Sequence, residues 1–382
     1  MTKKLIPILC VASIFFGCDT KKSDQTSDAF YMPAEWEPHE AVWFGWEEDA
    51  NSGFYPAIGK IITTLKPHVA VKIAFDNDSL KESGMATLHG LGVDTTGIKT
   101  YVMPGERYWI RDHGAAFLVN GKGDLGVADF GWDHYGYPAF LELKYEGNKD
   151  SVDAELKRRQ ESRLKTGSVD SLMAVAEGAV ILKTDVVHEG GAIEVNGKGT
   201  LILCEATVFQ RNPNMDRESI ESEFKRVLGV SHIIWMKQGL ADDPHWFLRR
   251  IVGDYIGGGS GGHTDEFVRF AGPNTILLAW VDEAEKDLNP INRMNYERMS
   301  ENYRILKKAK DRDGRPFEII KVPLPDLVPV EVVVRQDVNW KELEGFSLDV
   351  NPDWFVPSEA VQAGDTLLRV PAASYMNYLV TN

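Results

Sequence analysis

Cysteine is scarce in this chain of 382 residues, with only Cys10, Cys18 and Cys204 present. Two of the three lie at the N-terminus, so the body of the chain keeps a single thiol. That excludes an intrachain disulfide framework and a cysteine-built metal site. Positive charge is also in short supply: 42 Lys and Arg face 57 Asp and Glu, for a formal net charge of -15. Binding to nucleic acid by counterion release therefore has no electrostatic basis, whereas a small cationic ligand would be steered inward. Long apolar runs are nearly absent. The one exception, Leu5 to Phe16, is too short for a comfortable membrane span. A phosphate-cradling loop is missing too, because the glycine-rich stretch GGGSGGHTDEF lacks the Gly-Lys-Ser/Thr that such a loop requires.

The apolar run follows two lysines and ends in Gly17-Cys18, which reads as an export signal. Its Gly-Cys end resembles a bacterial lipobox, with an ordinary secretory signal as the other reading. The expected organisation is a lipoprotein-type signal peptide over 1–18 lipidated at Cys18, a polar linker over 19–29 and one domain over 30–382. Contact with a membrane would then run only through the lipid, on the periplasmic or cell-surface side.

Within the body, helical patterns alternate with apolar strand-like runs, which predicts a mixed α/β fold. The clearest helix is MDRESIESEFKRVLG, where Ile220, Phe224, Val227 and Leu228 share one face and Gly229 stops it. Cys204 lies in TLILCEATV and reads as a buried strand cysteine. The string VNGKG occurs twice, at Val119–Gly123 and Val195–Gly199, each time between apolar runs, and each copy reads as a hairpin turn. FVRFAGPNTILLAW fits a third hairpin. Each of the three is preceded by ionisable residues: Asp112 before the first, Glu189 before the second, His263 and Asp265 before the third. Repeated units about an axis would bring these four side chains into one cluster. The glycine run reads as a flexible approach to the third hairpin, with His263 and Asp265 sharing a face of extended chain. A fourth unit is expected to begin at AASYMNYLVTN.

These motifs are similar to those of the agmatine deiminase family, which also includes the bacterial peptidylarginine deiminases. The resemblance rests on MPAEWEPHEAVWFGW, WIRDHG, HEGGAIEVNGKGTLILCEATVFQRNPN, GGHTDEF and AASYMNYLVTN, which stand in family order over nearly the whole body. It implies an α/β propeller of five pseudo-symmetric modules around a central funnel, here lacking its C-terminal closing segment. It also implies hydrolysis of a guanidinium to a ureido group and ammonia by a cysteine nucleophile, with no metal or cofactor. In the family pattern Asp112 and Asp265 grip the guanidinium, Glu189 orients His263, and His263 serves as general acid and base. Trp109 would wall the funnel, with a core tryptophan as the alternative.

Two departures bear on function. The family's nucleophile stands in a glycine-rich stretch ending in His-Cys near the C-terminus, and no such stretch occurs before Asn382. Between GLADD and GGHTDEF lies PHWFLRRIVGDYIGGGS, longer than the family usually carries. Its Trp246, Arg249 and Arg250 suggest a lid or carboxylate-binding rim, and a surface insertion is the plainer reading. The implied activity is conversion of agmatine to N-carbamoylputrescine in putrescine biosynthesis, with peptidylarginine deimination at the cell surface as one alternative. A non-catalytic guanidinium-binding lipoprotein is another. A metal site joining His113 or His188 to His263 and Asp265 is the remaining option.

Overall fold

A computed structural model describes residues 28–47, 53–245, 248–338 and 349–381. The signal region with Cys18, the first part of the linker and Trp246 lie outside the described residues. The strands are β1 (Ala41–Trp46), β2 (Ala70–Phe75), β3 (Lys99–Val102), β4 (Ala116–Val119), β5 (Leu125–Gly131) and β6 (Val180–Val187). They continue as β7 (Glu194–Val195), β8 (Thr200–Cys204), β9 (His232–Met236), β10 (Leu248–Val252) and β11 (Tyr255–Gly258). Last come β12 (Val268–Gly272), β13 (Thr275–Trp280), β14 (Glu318–Pro323), β15 (Val330–Val333) and β16 (Thr366–Arg369). They form five separate sheets, in the orders β1-β2-β3, β4-β5-β6, β7-β8-β9, β10-β11-β16-β15 and β12-β13-β14. Helices connect the parallel strands, and the fold is mixed α/β.

Three of these sheets repeat one plan. An antiparallel hairpin (β4-β5, β7-β8, β12-β13) is followed by a helical crossover to a third strand, parallel to the second. A parallel return needs such a crossover, and the helices at Val169–Glu177, Arg217–Leu228 and Pro290–Lys308 supply it. The two VNGKG copies work alike at atomic level. Asn120 Oδ1 accepts from the N–H groups of Lys122 at 3.0 Å and Asp124 at 2.9 Å. Asn196 Oδ1 does the same for Lys198 at 2.9 Å and Thr200 at 3.0 Å. An asparagine that folds its own turn is what fixes both hairpins.

The helix Arg217–Leu228 buries Ile220, Phe224, Val227 and Leu228, as their spacing predicts. Asp216 caps its start by accepting from Ser219 N, and Gly229 ends it with φ +64°. All five residues of β8 are buried, so Cys204 is a core side chain. It packs with Met236, Phe267 and Leu278 beneath the third hairpin.

Two expectations are corrected. The segment read as a surface insertion supplies β10 and β11, which pair antiparallel with a bulge between Arg250 and Val252 and join β16 and β15 in a four-stranded sheet. The apolar residues of LRRIV and YIGG, with Gly253 turning at φ +55°, account for this. The stretch Ala372–Thr381, expected to open another hairpin, forms no strand. Side chains hold it instead: Arg269 Nη1 donates to Met376 O at 3.2 Å and Tyr378 O at 3.1 Å, and Val380 N donates to Glu35 Oε1 at 3.3 Å. Among the described residues no helix is long and apolar enough to cross a membrane.

Candidate active site

Each of the three matching hairpins is preceded by a single helical turn, and these turns carry the ionisable residues. Asp112 lies in Ile110–His113 before β4, Glu189 directly precedes Gly190–Ala192 before β7, and Asp265 lies in Thr264–Phe267 before β12, with His263 as its N-cap. The extended-chain geometry expected for His263 and Asp265 is therefore replaced by a cap and a turn. Both residues still face the cluster, since a Cβ at Gly191 would meet His263 Nδ1 and Asp265 Oδ2 together.

All four predicted residues meet. His263 is buried between two carboxylates, with Nδ1 at 3.5 Å from Asp112 Oδ1 and Nε2 at 3.5 Å from Glu189 Oε2. Gly191 marks the point of convergence. A Cβ there would stand 2.6 Å from both Asp112 Oδ1 and His263 Nδ1, and 2.9 Å from Asp265 Oδ2. No side chain fits without displacing the site, which explains the second glycine of the Glu-Gly-Gly motif. Gly191 N also donates to Asp112 Oδ1 at 3.1 Å, and Thr264 Oγ1 donates to Gly191 O at 3.2 Å, so the three turns are stitched to one another.

Burial and charge compete within the cluster. Burial alone would strip the proton from His263, yet Asp112, Glu189 and Asp265 outweigh it and lift the imidazole to about 9. Burial also works against the Glu189 carboxylate, but Arg211 and His263 more than offset it and hold its pKa well below the usual range. For Asp265 burial prevails, and its carboxyl is pushed up to about 6. Near neutral pH the arrangement is thus an imidazolium flanked by carboxylates, which has a proton to give.

Sequence reasoning assigned no role to the residues that hold this cluster. Arg211 is fully buried; its Nε donates to Glu189 Oε1 at 2.8 Å and its Nη2 to Ser260 O at 2.7 Å. Its Nε also lies 4.0 Å from Asp133 Oδ1. Asp243 is the clamp on the glycine run. Its carboxylate accepts from the backbone N–H of Ser260, Gly261 at 3.3 Å, Gly262 at 2.7 Å and His263 at 3.3 Å, and from the Ser260 hydroxyl. The run is therefore a tightly held support, which corrects the expectation of a flexible approach. Glycine is needed because a Cβ at 259 would overlap Asp243, and one at 261 would overlap the His245 ring. Tyr135 donates its hydroxyl to Asp112 Oδ2 at 2.7 Å. Arg211 and Asp243 stand inside stretches quoted above, whereas nothing in DHYG marks Tyr135.

Trp109 is 57% exposed, which overturns the core alternative and leaves it on the surface next to the turn that carries Asp112. Arg249 pairs with Glu359, and Arg250 Nη1 donates to Glu359 O at 3.2 Å. These arginines brace the β10-β11 hairpin, and a carboxylate-binding rim would have to compete with Glu359. His113 faces Glu106 Oε1 at 3.3 Å and His188 faces Ala192 O at 3.2 Å, so neither ring joins His263. Among the described residues no group of three or more His, Cys, Asp or Glu is placed to hold a metal ion.

Among the described residues, five sheets with a His-and-carboxylate cluster where three hairpins meet define a mixed α/β protein, and comparison with known proteins places it. The chain belongs to the Porphyromonas-type peptidyl-arginine deiminase family, whose sequence profile matches residues 31–382. It is 26% identical over 372 residues to an agmatine deiminase of Pseudomonas aeruginosa, covering 94% of this chain and 83% of the relative. It is 28% identical over 380 residues to that of Pseudomonas fluorescens, covering 95% and 84%. The agmatine deiminase of Enterococcus faecalis superposes with a TM-score of 0.64 at 23% identity, over 93% of this chain and 82% of that one. A substrate-bound cysteine-to-serine variant of the C. jejuni enzyme gives 0.58 at 18% identity, over 92% and 80%. These structural likenesses show the fold.

Proposed function

We propose that this chain carries the substrate grip and acid-base pair of an agmatine deiminase-like hydrolase, with agmatine the leading substrate and peptidyl-arginine the second. The observation that carries the reading is the convergence of Asp112, His263 and Asp265 on Gly191, with Glu189 and Arg211 behind them. A guanidinium is planar and permanently charged, so carboxylates from two directions can hold its nitrogens and leave its carbon open. In this reading the five sheets are the blades of a propeller whose axis passes through the cluster, and Trp109 lies at the mouth of the funnel.

The chemistry follows from the protonation state. A thiolate attacks the guanidinium carbon, His263 gives its proton to the departing ammonia, and an amidino-thioether remains. His263, now neutral, takes a proton from water; the hydroxide adds to the same carbon, and as the thiolate leaves the hydroxyl proton passes to the released ammonia, giving the ureido product and ammonium. Glu189, held ionised by Arg211, favours the imidazolium in the first half. Entry of a second cation beside His263 would lower its pKa and make the proton easier to give.

Cys204 is not this thiolate: it is fully buried and burial raises its pKa. The described residues thus present the grip without the sulfur, which also suits a non-catalytic guanidinium-binding protein. Reading the encoding DNA past Asn382 for a glycine-rich His-Cys stretch separates the two. Titration with agmatine, free arginine and an arginine peptide, with ammonia release followed in parallel, tests the reading itself. Binding that is lost about tenfold or more in Asp265→Asn supports the grip, on the scale of a hydrogen bond to a charged group. Binding unchanged in that variant, or absent from the wild type, would overturn it. The proposal includes export with a lipid on Cys18, for which palmitate labelling should vanish in Cys18→Ala.

A further inference from the structure

The hydrogen bonds on Asp112 raise a question that the proposed function leaves open. A guanidinium gripped side-on needs an acceptor site on each carboxylate oxygen. Oδ1 already faces Gly191 N at 3.1 Å and His263 Nδ1 at 3.5 Å. Oδ2 accepts the Tyr135 hydroxyl at 2.7 Å. The phenol therefore takes one of the two acceptor positions of the oxygen that a guanidinium N–H would also use, and competes with it for that oxygen.

The backbone beneath Tyr135 is unusual in a way that bears on this. His134, Tyr135 and Gly136 are consecutive left-handed residues, with φ of +68°, +59° and +79°. Two of them carry side chains, and a left-handed conformation costs a non-glycine residue about 1–2 kcal/mol. The loop keeps that shape because it is held at both ends of its reach. Gly136 N donates to Asp133 Oδ1 at 2.7 Å, Trp132 packs edge-on to the Tyr135 ring at 5.0 Å, and the hydroxyl is tied to Asp112. The ring also lies 6.0 Å from the His263 ring, so a change in its position is felt on both sides of the grip. Strain of this kind persists only where the surrounding structure over-determines it, and it clusters at active sites, ligand clamps and switch regions.

We propose that Tyr135 is a latch on the guanidinium grip: it donates to Asp112 Oδ2 in the empty site, and an arriving guanidinium N–H displaces it. The inference rests on the proposed guanidinium reading of Asp112 and Asp265. Tyr135 is a positioning residue that holds the carboxylate in its receiving orientation, and part of the binding energy is spent in opening the latch. The left-handed loop makes opening easier, since release of the hydroxyl lets His134 and Tyr135 relax.

Titration of the full chain with agmatine tests this in three forms: wild type, Tyr135→Phe and Asp112→Asn. Phenylalanine keeps the ring and its packing while removing the competing donor. It should bind agmatine about five- to tenfold more tightly, the scale of one hydrogen bond to a charged group. Asp112→Asn should lose binding. Equal or weaker binding in Tyr135→Phe, with wild type binding and Asp112→Asn not, overturns the latch and leaves the guanidinium reading standing. Absence of agmatine binding in both wild type and Tyr135→Phe overturns the two together. A second measurement needs no variant: hydrogen exchange at the Gly136 amide should speed up at saturating agmatine as the loop lets go. Unchanged or slower exchange there would show that Tyr135 is a fixed wall, against the proposal.

Discussion

Two loops approach the cluster from opposite sides, and they place their residues by opposite means. The loop 259–263 puts its positive φ on glycines, Gly261 at +88° and Gly262 at +102°, and is bound along its length by the Asp243 carboxylate. The loop 133–136 puts the same kind of backbone on His134 and Tyr135 and is held by ring contacts with Trp132 and Tyr137, by Asp133 and by Asp112. The first is unstrained and heavily satisfied, and it ends in His263. The second is strained and held mainly through its side chains, and it ends on Asp112 through a hydroxyl. Within one site the acid-base residue is thus fixed on a rigid support, while the substrate grip carries a movable contact.

Cutting the rigid support should have the largest effect. Asp243→Ala removes the acceptor shared by four backbone N–H groups in the loop that bears His263; those of Gly261, Gly262 and His263 are buried, and His263 N keeps Ser260 Oγ as a second acceptor. Each unsatisfied buried donor costs about 1–3 kcal/mol, with water relieving some of them. A loss of at least about 3 kcal/mol is expected by urea denaturation, with Asp243→Asn losing less because one oxygen remains. A loss below about 1 kcal/mol would show that the loop is held by its glycines alone, and the contrast between the two loops would fail.

The charge on His263 sharpens the comparison, because it depends on carboxylates from both sides. Its folded pKa of about 9 lies above the ordinary histidine value. A raised pKa means that the folded state binds the proton more tightly. The stabilisation is therefore complete below about 6.5 and is lost as pH rises through about 9. At 1.36 kcal/mol per unit this is on the order of 3 kcal/mol. Stability of the wild type should fall across that window, and Asp112→Asn should flatten the fall by removing the leading favourable charge. A wild-type curve that is level from pH 6.5 to 9, or one that Asp112→Asn leaves unchanged, would break the assignment.

The same contrast explains what was legible in the sequence. The hairpins could be read because VNGKG carries its own mechanism, an asparagine that hydrogen-bonds the turn it begins. Asp112, Glu189, His263 and Asp265 could be picked out because they precede those hairpins at matched places. The holding residues could not. Arg211 and Asp243 act across long stretches of chain, on Ser260 and the glycine run, and nothing local to them marks that reach. The glycine run was legible as glycine but misread as flexible, since glycine allows both freedom and close approach, and only the Asp243 contacts decide between them. Tyr135 was invisible because tertiary contacts override its local preference: a tyrosine does not announce a left-handed backbone. The β10-β11 hairpin was missed although its partners are adjacent in the chain, and only the further pairing of its second strand, with β16, lies more than a hundred positions later.

The smallest predicted effect bears on the strained loop itself. His134→Asn replaces a left-handed residue by one that tolerates that backbone, because a short amide side chain pairs locally with the main chain. The gain is up to about 1 kcal/mol, while the imidazole's packing against Trp132 at 6.0 Å, Tyr135 at 6.0 Å and Tyr137 at 6.2 Å is reduced by a comparable amount. The net change in stability should stay within about 1 kcal/mol. Agmatine binding should weaken slightly, since a loop relieved of strain holds the Tyr135 hydroxyl on Asp112 more firmly. Differential scanning calorimetry and titration on the same variant check both halves. A large loss of stability would mean that the His134 ring, and not the hydroxyl of Tyr135, keeps the loop in place; tighter agmatine binding would mean that the strain holds the latch shut.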